Sequence, residues 1–406
     1  MRTANASARA RLAVVATHPI QYYAPWFAYL ASALDVELRV FYLWDFGVAA
    51  RKDPRFEVAI AWDVPLLEGY AHEFVPNRSP RPSTEGFLGY WNPGLLRRLT
   101  AFAPGAVLLT TYNNASIARL LLGWRGRPEP LLFRGDSHRL EPRAGLLAEA
   151  KRRVVAAVFR RFAAALYVGG ANRDYFRLHG MRDDKLFYAP HAVDNARFTG
   201  ARAAAEAAAG AWRASLGVPS DHRLILYAGK FEAQKRPLDL LRAFQLARPA
   251  RTALLFVGAG SLEGELRGRA AGGAPVFFAP FQNQSLMPRV YAAADVVVLP
   301  SERETWGMVV NEAMCMGLPA IVSSHVGCAR ELVVPQETGL VFQAGSVEAL
   351  RDALIEAFGG EGPRHRWGES ARRRVAGYSY RETTAGLQAA LQSVGVRATW
   401  RADAPA

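Results

Sequence analysis

Residues Tyr291–Phe342 read YAAADVVVLPSERETWGMVVNEAMCMGLPAIVSSHVGCARELVVPQETGLVF. The β-branched run Val296–Leu299, stopped by Pro300, is too short for a helix and reads as a strand buried on both faces. A polar loop follows, then Gly307 opens a helix over Met308–Met316 and Gly317 closes it. Ala320–Ser323 and Gly339–Phe342 start two further strands. Strand, helix, strand in this order requires a crossover connection, so the strands lie parallel.

The same rhythm extends outward from this stretch. In the second half it gives strands at Leu224–Ala228, Thr252–Val257 and Val276–Ala279. In the first half it gives strands at Leu12–Ala16, Glu37–Tyr42, Ala106–Thr110, Leu131–Arg134 and Ala165–Gly169. Two sets of βαβ units in 406 residues point to an α/β protein with two doubly wound, Rossmann-like domains. Between the sets lies Thr199–Trp212, rich in alanine and weakly amphipathic, followed by turn signals at Gly217 and Pro219. It is the natural linker, taken as residues 199–221. Tyr380–Val394, with apolar Leu387, Ala390 and Leu391, reads as a terminal helix, and 401–406 as a disordered tail. Open sheets of this kind bind ligands beyond the carboxyl ends of their strands, so the site is expected in the cleft between the domains.

Composition excludes some classes and leaves others. No apolar run approaches the roughly 20 residues needed to span a bilayer. Arg2, Arg9 and Arg11 precede an apolar stretch that stops at Thr17 and His18 with no small-residue cleavage site, so no signal peptide is expected. Cys315 and Cys328 lack metal-ligand spacing and are expected to be reduced packing residues, with no metal site. A net charge of +14 favours anionic partners. The arginines are scattered, with denser stretches at Arg143–Arg161 and Arg372–Arg374, and form no recognisable nucleic-acid module. An anionic membrane surface therefore fits better than nucleic acid.

The candidate chemistry sits on two loops. In Tyr291–Phe342, the backbone N–H groups of Thr305, Trp306, Gly307 and Met308 at a helix start offer a site for a diphosphate. Glu304 precedes them. Glu312 follows inside the helix among apolar Val309, Val310, Ala313 and Met314, where an unused carboxylate would be costly. The second loop, Gly229-Lys230-Phe231-Glu232-Ala233-Gln234-Lys235-Arg236-Pro237, joins a strand to a helix. Lysine is scarce in this chain, yet Lys230 and Lys235 can converge there on one anion. Gly258 and Gly260 follow another strand and are a weaker signal, sufficient only for a turn.

Taken together, Gly229-Lys230 with Lys235-Arg236-Pro237, Val257-Gly258-Ala259-Gly260, Leu299-Pro300-Ser301 through Glu304-Thr305-Trp306-Gly307, Asn311-Glu312-Ala313-Met314 and Gly317-Leu318-Pro319 closely resemble the family-four retaining glycosyltransferases of the GT-B fold. In the first half, Thr17–Tyr22 and Gly135-Asp136-Ser137-His138 resemble loops that face the cleft in that family. Tyr188–Asp194 resembles the segment closing the first domain, with His191-Ala192 where relatives usually have Asn-Gly. Lys230 stands where many relatives have arginine.

The resemblance implies that residues 1–198 bind the acceptor and 222–379 a nucleotide diphosphate sugar, with the 380–406 helix crossing back to the first domain. Glu312 would hold the ribose, Glu304 would face the donor sugar, and Lys230 and Lys235 the diphosphate, with Thr305–Met308 also binding substrate. His138 would stand near the reacting centre, making His138, Glu304 and Lys235 the catalytic set, and His18 would contribute to binding. No cofactor is expected, and the absence of an Asp-x-Asp pair agrees with metal independence. The acceptor would be a glycan or a lipid-linked molecule, and the protein cytoplasmic, peripheral on the inner face of the membrane. Two alternatives stand beside this reading: a nucleotide-sugar epimerase of the same fold, and a non-catalytic basic protein binding membranes or nucleic acid.

Overall fold

The computed structural model describes residues 9–48, 51–52, 59–84, 86–140 and 145–405, with 51–52 and 59–60 described as backbone only. Arg2 and Arg143, noted above for their charge, lie outside the described residues. The strands are β1 (Ala10–Ala16), β2 (Val36–Tyr42), β3 (Arg51–Lys52), β4 (Ala59–Ile60), β5 (Ala71–Phe74), β6 (Ala106–Leu109), β7 (Leu131–Arg134), β8 (Ala164–Tyr167) and β9 (Leu186–Tyr188). In the second half they are β10 (Arg223–Ala228), β11 (Thr252–Val257), β12 (Val276–Ala279), β13 (Val296–Leu299), β14 (Ala320–Ser323) and β15 (Gly339–Phe342).

β3 and β4 form a small antiparallel pair, and the rest form two parallel sheets, ordered β5-β2-β1-β6-β7-β8-β9 and β12-β11-β10-β13-β14-β15. Each sheet runs outward from its first strand, then reverses, and the reversal points lie between β1 and β6 and between β10 and β13. The two sheets are Rossmann-like, and the architecture is GT-B. Both faces of each sheet are covered. Ala13 and Val15 of β1 pack on one side and Leu12, Val14 and Ala16 on the other, while β10 sends Leu224 and Leu226 one way and Ile225 and Tyr227 the other. Burial on both faces is why these strands read as unbroken apolar runs.

The stretch expected as a linker is part of a helix, Asn195–Ser215, begun by the Asp194 side chain accepting from the Arg197 N–H at 2.9 Å. Phe198, Ala205, Ala209 and Trp212 are buried in the second-domain core beside Met287, Val290 and Tyr291. High alanine content hid that packing, because the buried stripe contains two alanines. The last helix, Tyr380–Ser393, crosses back. Leu387, Ala390 and Leu391 are buried against the first sheet, and Trp26 Nε1 donates to Thr384 Oγ1 at 3.1 Å.

The tail differs from the expected disorder. The Arg401 N–H donates to the Ala33 carbonyl at 2.8 Å, and Tyr29 OH to the Pro405 carbonyl at 2.8 Å, so residues 401–405 dock on the first domain. Cys315 and Cys328 are buried free thiols. Among the described residues no helix is long and apolar enough to cross a membrane.

The crossover helix touches the sheet through Gly386, where an added Cβ would lie 1.9 Å from the Tyr188 carbonyl oxygen. That oxygen belongs to β9 and cannot yield without moving the strand. Gly386→Val is expected to lower the unfolding free energy by about 2 kcal/mol or more, read as a lowered urea midpoint with unchanged slope.

Candidate active site

A cavity of about 470 Å³ opens between the domains, at the carboxyl ends of β1 and β7 in the first sheet and of β10, β11 and β13 in the second. The second domain lines it with Gly229, Lys230, Lys235, Glu304 through Val309, and Glu312. The first domain supplies Ile20 through Tyr23, Asp136 and His191. Lys235 pairs directly with the Glu304 carboxylate, so the cation and the acid expected at the reacting centre face each other. Lys230 lines the same wall, its carbonyl accepting from Tyr227 OH at 2.6 Å.

The helix Met308–Cys315 starts at Gly307, whose φ of +99° is left-handed. A Cβ there would also meet the Leu299 side chain at 2.8 Å, so only glycine lets the loop turn into the helix beneath β13. Met308 and Val309, whose N–H groups open the helix, line the cavity. Trp306 touches the cavity but is 2% exposed. Its Nε1 donates to Asn311 Oδ1 at 2.8 Å, and Asn311 Nδ2 donates to the His191 carbonyl at 3.2 Å. The indole thus braces the domain contact.

Glu312 is 2% exposed, as its apolar neighbours required. Oε2 accepts from Tyr291 OH at 2.5 Å and Oε1 from Gln284 Nε2 at 3.2 Å. Burial pushes its carboxyl above the ordinary range, opposed by the hydrogen bonds of Tyr291 and Gln284 and by the Arg197 charge. Gly258 lines the cavity because its backbone presses on the Gly229 carbonyl, 2.0 Å from where a Cβ would sit. Gly260 does the same against Phe231, away from the lining.

His138 and His18 stand elsewhere. His138 lines an adjoining cavity, behind the Glu304–Thr305 strand of loop, and its Nε2 lies 2.7 Å from the Glu304 carbonyl. A carbonyl only accepts, so Nε2 carries the proton, and Nδ1 accepts from the Leu140 N–H at 3.3 Å. His18, expected to contribute to binding, does not line this cavity. Its ring packs edge-on to Phe46 at 5.5 Å, and Nδ1 lies 3.4 Å from Tyr90 OH inside the first domain. From the same loop it is Ile20–Tyr23 that line the cavity.

Sequence reasoning passed over Asp136, which faces the second-domain wall. Burial pushes its carboxyl up, yet the neighbouring His191 and Thr305 outweigh burial and hold it below the usual carboxylate range. His191 Nε2 lies 3.5 Å from Asp136 Oδ2. Burial pushes His191 down, and the nearby Arg134 charge adds to that against the pull of Asp136. Arg134, 1% exposed, donates to the carbonyls of Ala189 at 2.6 Å and Pro190 at 3.1 Å and so fixes the segment carrying His191. The only signals in the sequence were Asp136 within an already quoted loop and the departure at His191. Gln284 and Arg197, joined at 2.7 Å, gave none.

Comparison with known proteins agrees with this geometry. Residues 209–374 match the family described as glycosyl transferases group 1. A D-inositol 3-phosphate glycosyltransferase of Actinosynnema mirum is 32% identical over 322 residues, 74% of this chain and 70% of that protein. Another, of Nocardia farcinica, is 31% identical over 228 residues, 53% of this chain and 49% of the relative. The chain spans about half the length of several curated relatives it matches. Among solved structures, sucrose-phosphate synthase of Thermosynechococcus elongatus superposes with a TM-score of 0.71 at 19% identity, covering 95% of this chain and 99% of that one. HepE of Anabaena in complex with UDP and glucose gives 0.70 at 18% identity, with 95% and 100% covered. At these identities the superpositions speak to the GT-B fold. The chain belongs to the group 1 glycosyltransferases.

The depressed His191 has a consequence for stability. The unfolded chain protonates this ring as pH falls through about 6.5, while the folded protein resists until its lower value. Between those two values the unfolded state binds more protons, so stability is lost as pH falls, with Asp136 still ionised. Urea midpoints measured from pH 7.5 to 5 should decline in wild type and decline less in His191→Asn. Equal slopes would show that His191 titrates as in the unfolded chain.

Proposed function

We propose that this protein is a retaining, metal-independent glycosyltransferase that moves a sugar from a nucleotide diphosphate sugar to a glycan or lipid-linked acceptor. The observation that carries the proposal is the convergence of Lys230, Lys235 and the opening N–H groups of the Met308–Cys315 helix on one wall of the cleft, with Glu304 and Glu312 to either side of those amides. A diphosphate there would meet fixed cations and a helix dipole, which stabilise leaving-group charge as it grows.

Glu312 lies one to two turns past the amides, within reach of a ribose, and Glu304 precedes them on the sugar side. In the step itself the bond from C1 to the diphosphate oxygen breaks through an oxocarbenium-like state. The acceptor oxygen then bonds to C1 on the same face, and its proton passes to the departing diphosphate. Lys235, paired with Glu304, would exchange that carboxylate for the diphosphate when donor binds. Among the described residues, Asp136 is the other carboxylate that lines this cavity. A glycosyl adduct trapped on it and seen by mass spectrometry would replace same-face attack with a covalent route.

Membrane contact is supported by the helix Leu146–Phe159, where Leu146, Leu147 and Val154 are exposed. Arg153 of the same helix and the following Arg160 and Arg161 add charge. Apolar residues beside cations suit an anionic interface. The protein should float with anionic vesicles at low salt and be released at high salt, and no flotation at low salt would favour a soluble acceptor.

Three substitutions separate the roles. Lys235→Ala should lower turnover by roughly a hundredfold or more with the fold intact. Glu312→Gln should weaken nucleotide affinity about tenfold or more, since an amide cannot accept the charge-assisted pair from two hydroxyls. Glu304→Gln should mainly lower turnover. Nucleotide affinity and turnover measured side by side decide this. Loss of affinity in Glu304→Gln alone reverses the two assignments, and wild-type behaviour in all three removes the proposed site.

A further inference from the structure

A segment of the first domain crosses to the second beside the cleft cavity. It leaves β4 at Ile60, and the next three residues, Ala61, Trp62 and Asp63, meet the second-domain loop 281–285. Asn283 Nδ2 donates to the Ala61 carbonyl at 2.7 Å. The Ser285 N–H donates to Asp63 Oδ1 at 3.0 Å, and Ser285 Oγ donates to Asp63 Oδ2. These bonds form a clasp whose halves come from different domains, with Trp62 between its two ends. Past Asp63 the chain returns to the first domain, where Leu66 is buried and its carbonyl accepts from Tyr70 OH.

Trp62 lines the cavity, as do Phe281, Gln282 and Gln284 of the facing loop. The indole is braced by Gly47, whose φ of +89° is left-handed. A Cβ there would lie 3.3 Å from Trp62 Cδ1 and 3.2 Å from the Pro19 carbonyl oxygen, so the close approach needs glycine. Trp62 also meets the Phe281 ring at 6.3 Å between centroids and 63° between planes. Rings so inclined leave no parallel slot, so a flat ligand packs on the face of one and meets the edge of the other.

The same loop holds the carboxylate proposed to bind the ribose. Arg197 donates to the Gln284 carbonyl at 2.8 Å and to Gln284 Oε1 at 2.7 Å, and Gln284 Nε2 donates to Glu312 Oε1 at 3.2 Å. With the diphosphate at the amides that open the Met308–Cys315 helix and the ribose at Glu312, loop 281–285 borders the far end of the ribose. The base is attached there, away from the phosphates, in the part of the cavity lined by this loop and Trp62.

We infer that Trp62 is a donor-binding residue supplied by the first domain, that the nucleobase packs on its indole, and that the Asp63–Ser285 clasp holds the indole in place. The inference rests on the reading of this cavity as the donor's. Every base has a π face, so stacking on an indole adds affinity for the nucleoside while the lysines hold the phosphates. The donor site is then incomplete without the first domain, and one nucleotide is gripped by both domains at once.

The test is isothermal titration of the full chain with UDP, GDP and inorganic pyrophosphate, the last of which keeps the phosphate contacts and lacks a base. Trp62→Ala should weaken binding of the preferred nucleoside diphosphate by roughly tenfold or more and leave pyrophosphate affinity within about twofold. Trp62→Phe, which keeps a ring, should recover most of that loss. Asp63→Ala, which keeps the indole and opens the clasp, should fall between wild type and Trp62→Ala for the nucleotide and leave pyrophosphate unchanged. Urea midpoints near that of wild type verify the fold of each variant. Wild-type nucleotide affinity in Trp62→Ala overturns the inference. Equal losses for nucleotide and pyrophosphate also overturn it, because Trp62 would then act on the shape of the cleft and not on the base. Wild-type nucleotide affinity in Asp63→Ala removes the clasp from the account. If the wild-type protein binds neither nucleotide, the donor reading itself fails, and the inference falls with it.

Discussion

The Glu304 residue joins three parts of the molecule that come from distant stretches of chain. Its carboxylate takes Lys235 from the loop after β10, and its carbonyl accepts from His138 of the first domain and from the Gly327 N–H at 3.0 Å. A single short loop thereby fixes Lys235, His138 and the start of the Met308–Cys315 helix relative to one another. The constraint that allows this is topological. Each sheet reverses beside its first strand, so the loops after β10 and β13 must emerge together, and the facing sheet does the same after β1.

The two domains are held in register by polar contacts and by a shared apolar patch, in which Val168 and Val193 of the first domain pack into the second-domain core. Glu331 accepts from the Gly170 N–H at 2.6 Å, Asn311 reaches the His191 carbonyl, and Asn283 donates to the Ala61 carbonyl at 2.7 Å. The C-terminal helix adds an apolar tie by burying Leu387 and Leu391 against the first sheet. Polar seams beside two chain crossings, one before the helix Asn195–Ser215 and one before Tyr380–Ser393, suit a cleft that must admit and release ligands, because each polar contact can be exchanged for water at small cost.

Much of this was legible in the sequence, for physical reasons that also explain what was not. β11, β13 and β14 begin and end where the sequence reading puts them, because both faces are buried and nearly every residue of the run is therefore apolar. β5, which reads Ala-His-Glu-Phe, and β9 are edge strands with partly exposed residues, and they carry no such run. The burial of Glu312 followed from its neighbours on one helix. The pairing of Asp136 with His191, and the docking of residues 401–405 on Ala33 and Tyr29, depend on residues far apart in the chain and leave no local pattern. The sequence of the Thr17–Tyr22 loop likewise does not tell which of its side chains line the cavity, and His18 does not while Ile20–Tyr22 do.

Isothermal titration of the wild-type protein with UDP, GDP, ADP and the corresponding monophosphates, without added metal, bears most directly on the central claim that the Lys230–Lys235 wall and the Met308–Cys315 helix form a diphosphate site. The account predicts that one nucleoside diphosphate binds at a single site and that its monophosphate binds at least about tenfold more weakly, since the second phosphate meets the lysines. Equal affinity for the diphosphate and monophosphate, or no binding by any of them, would contradict it.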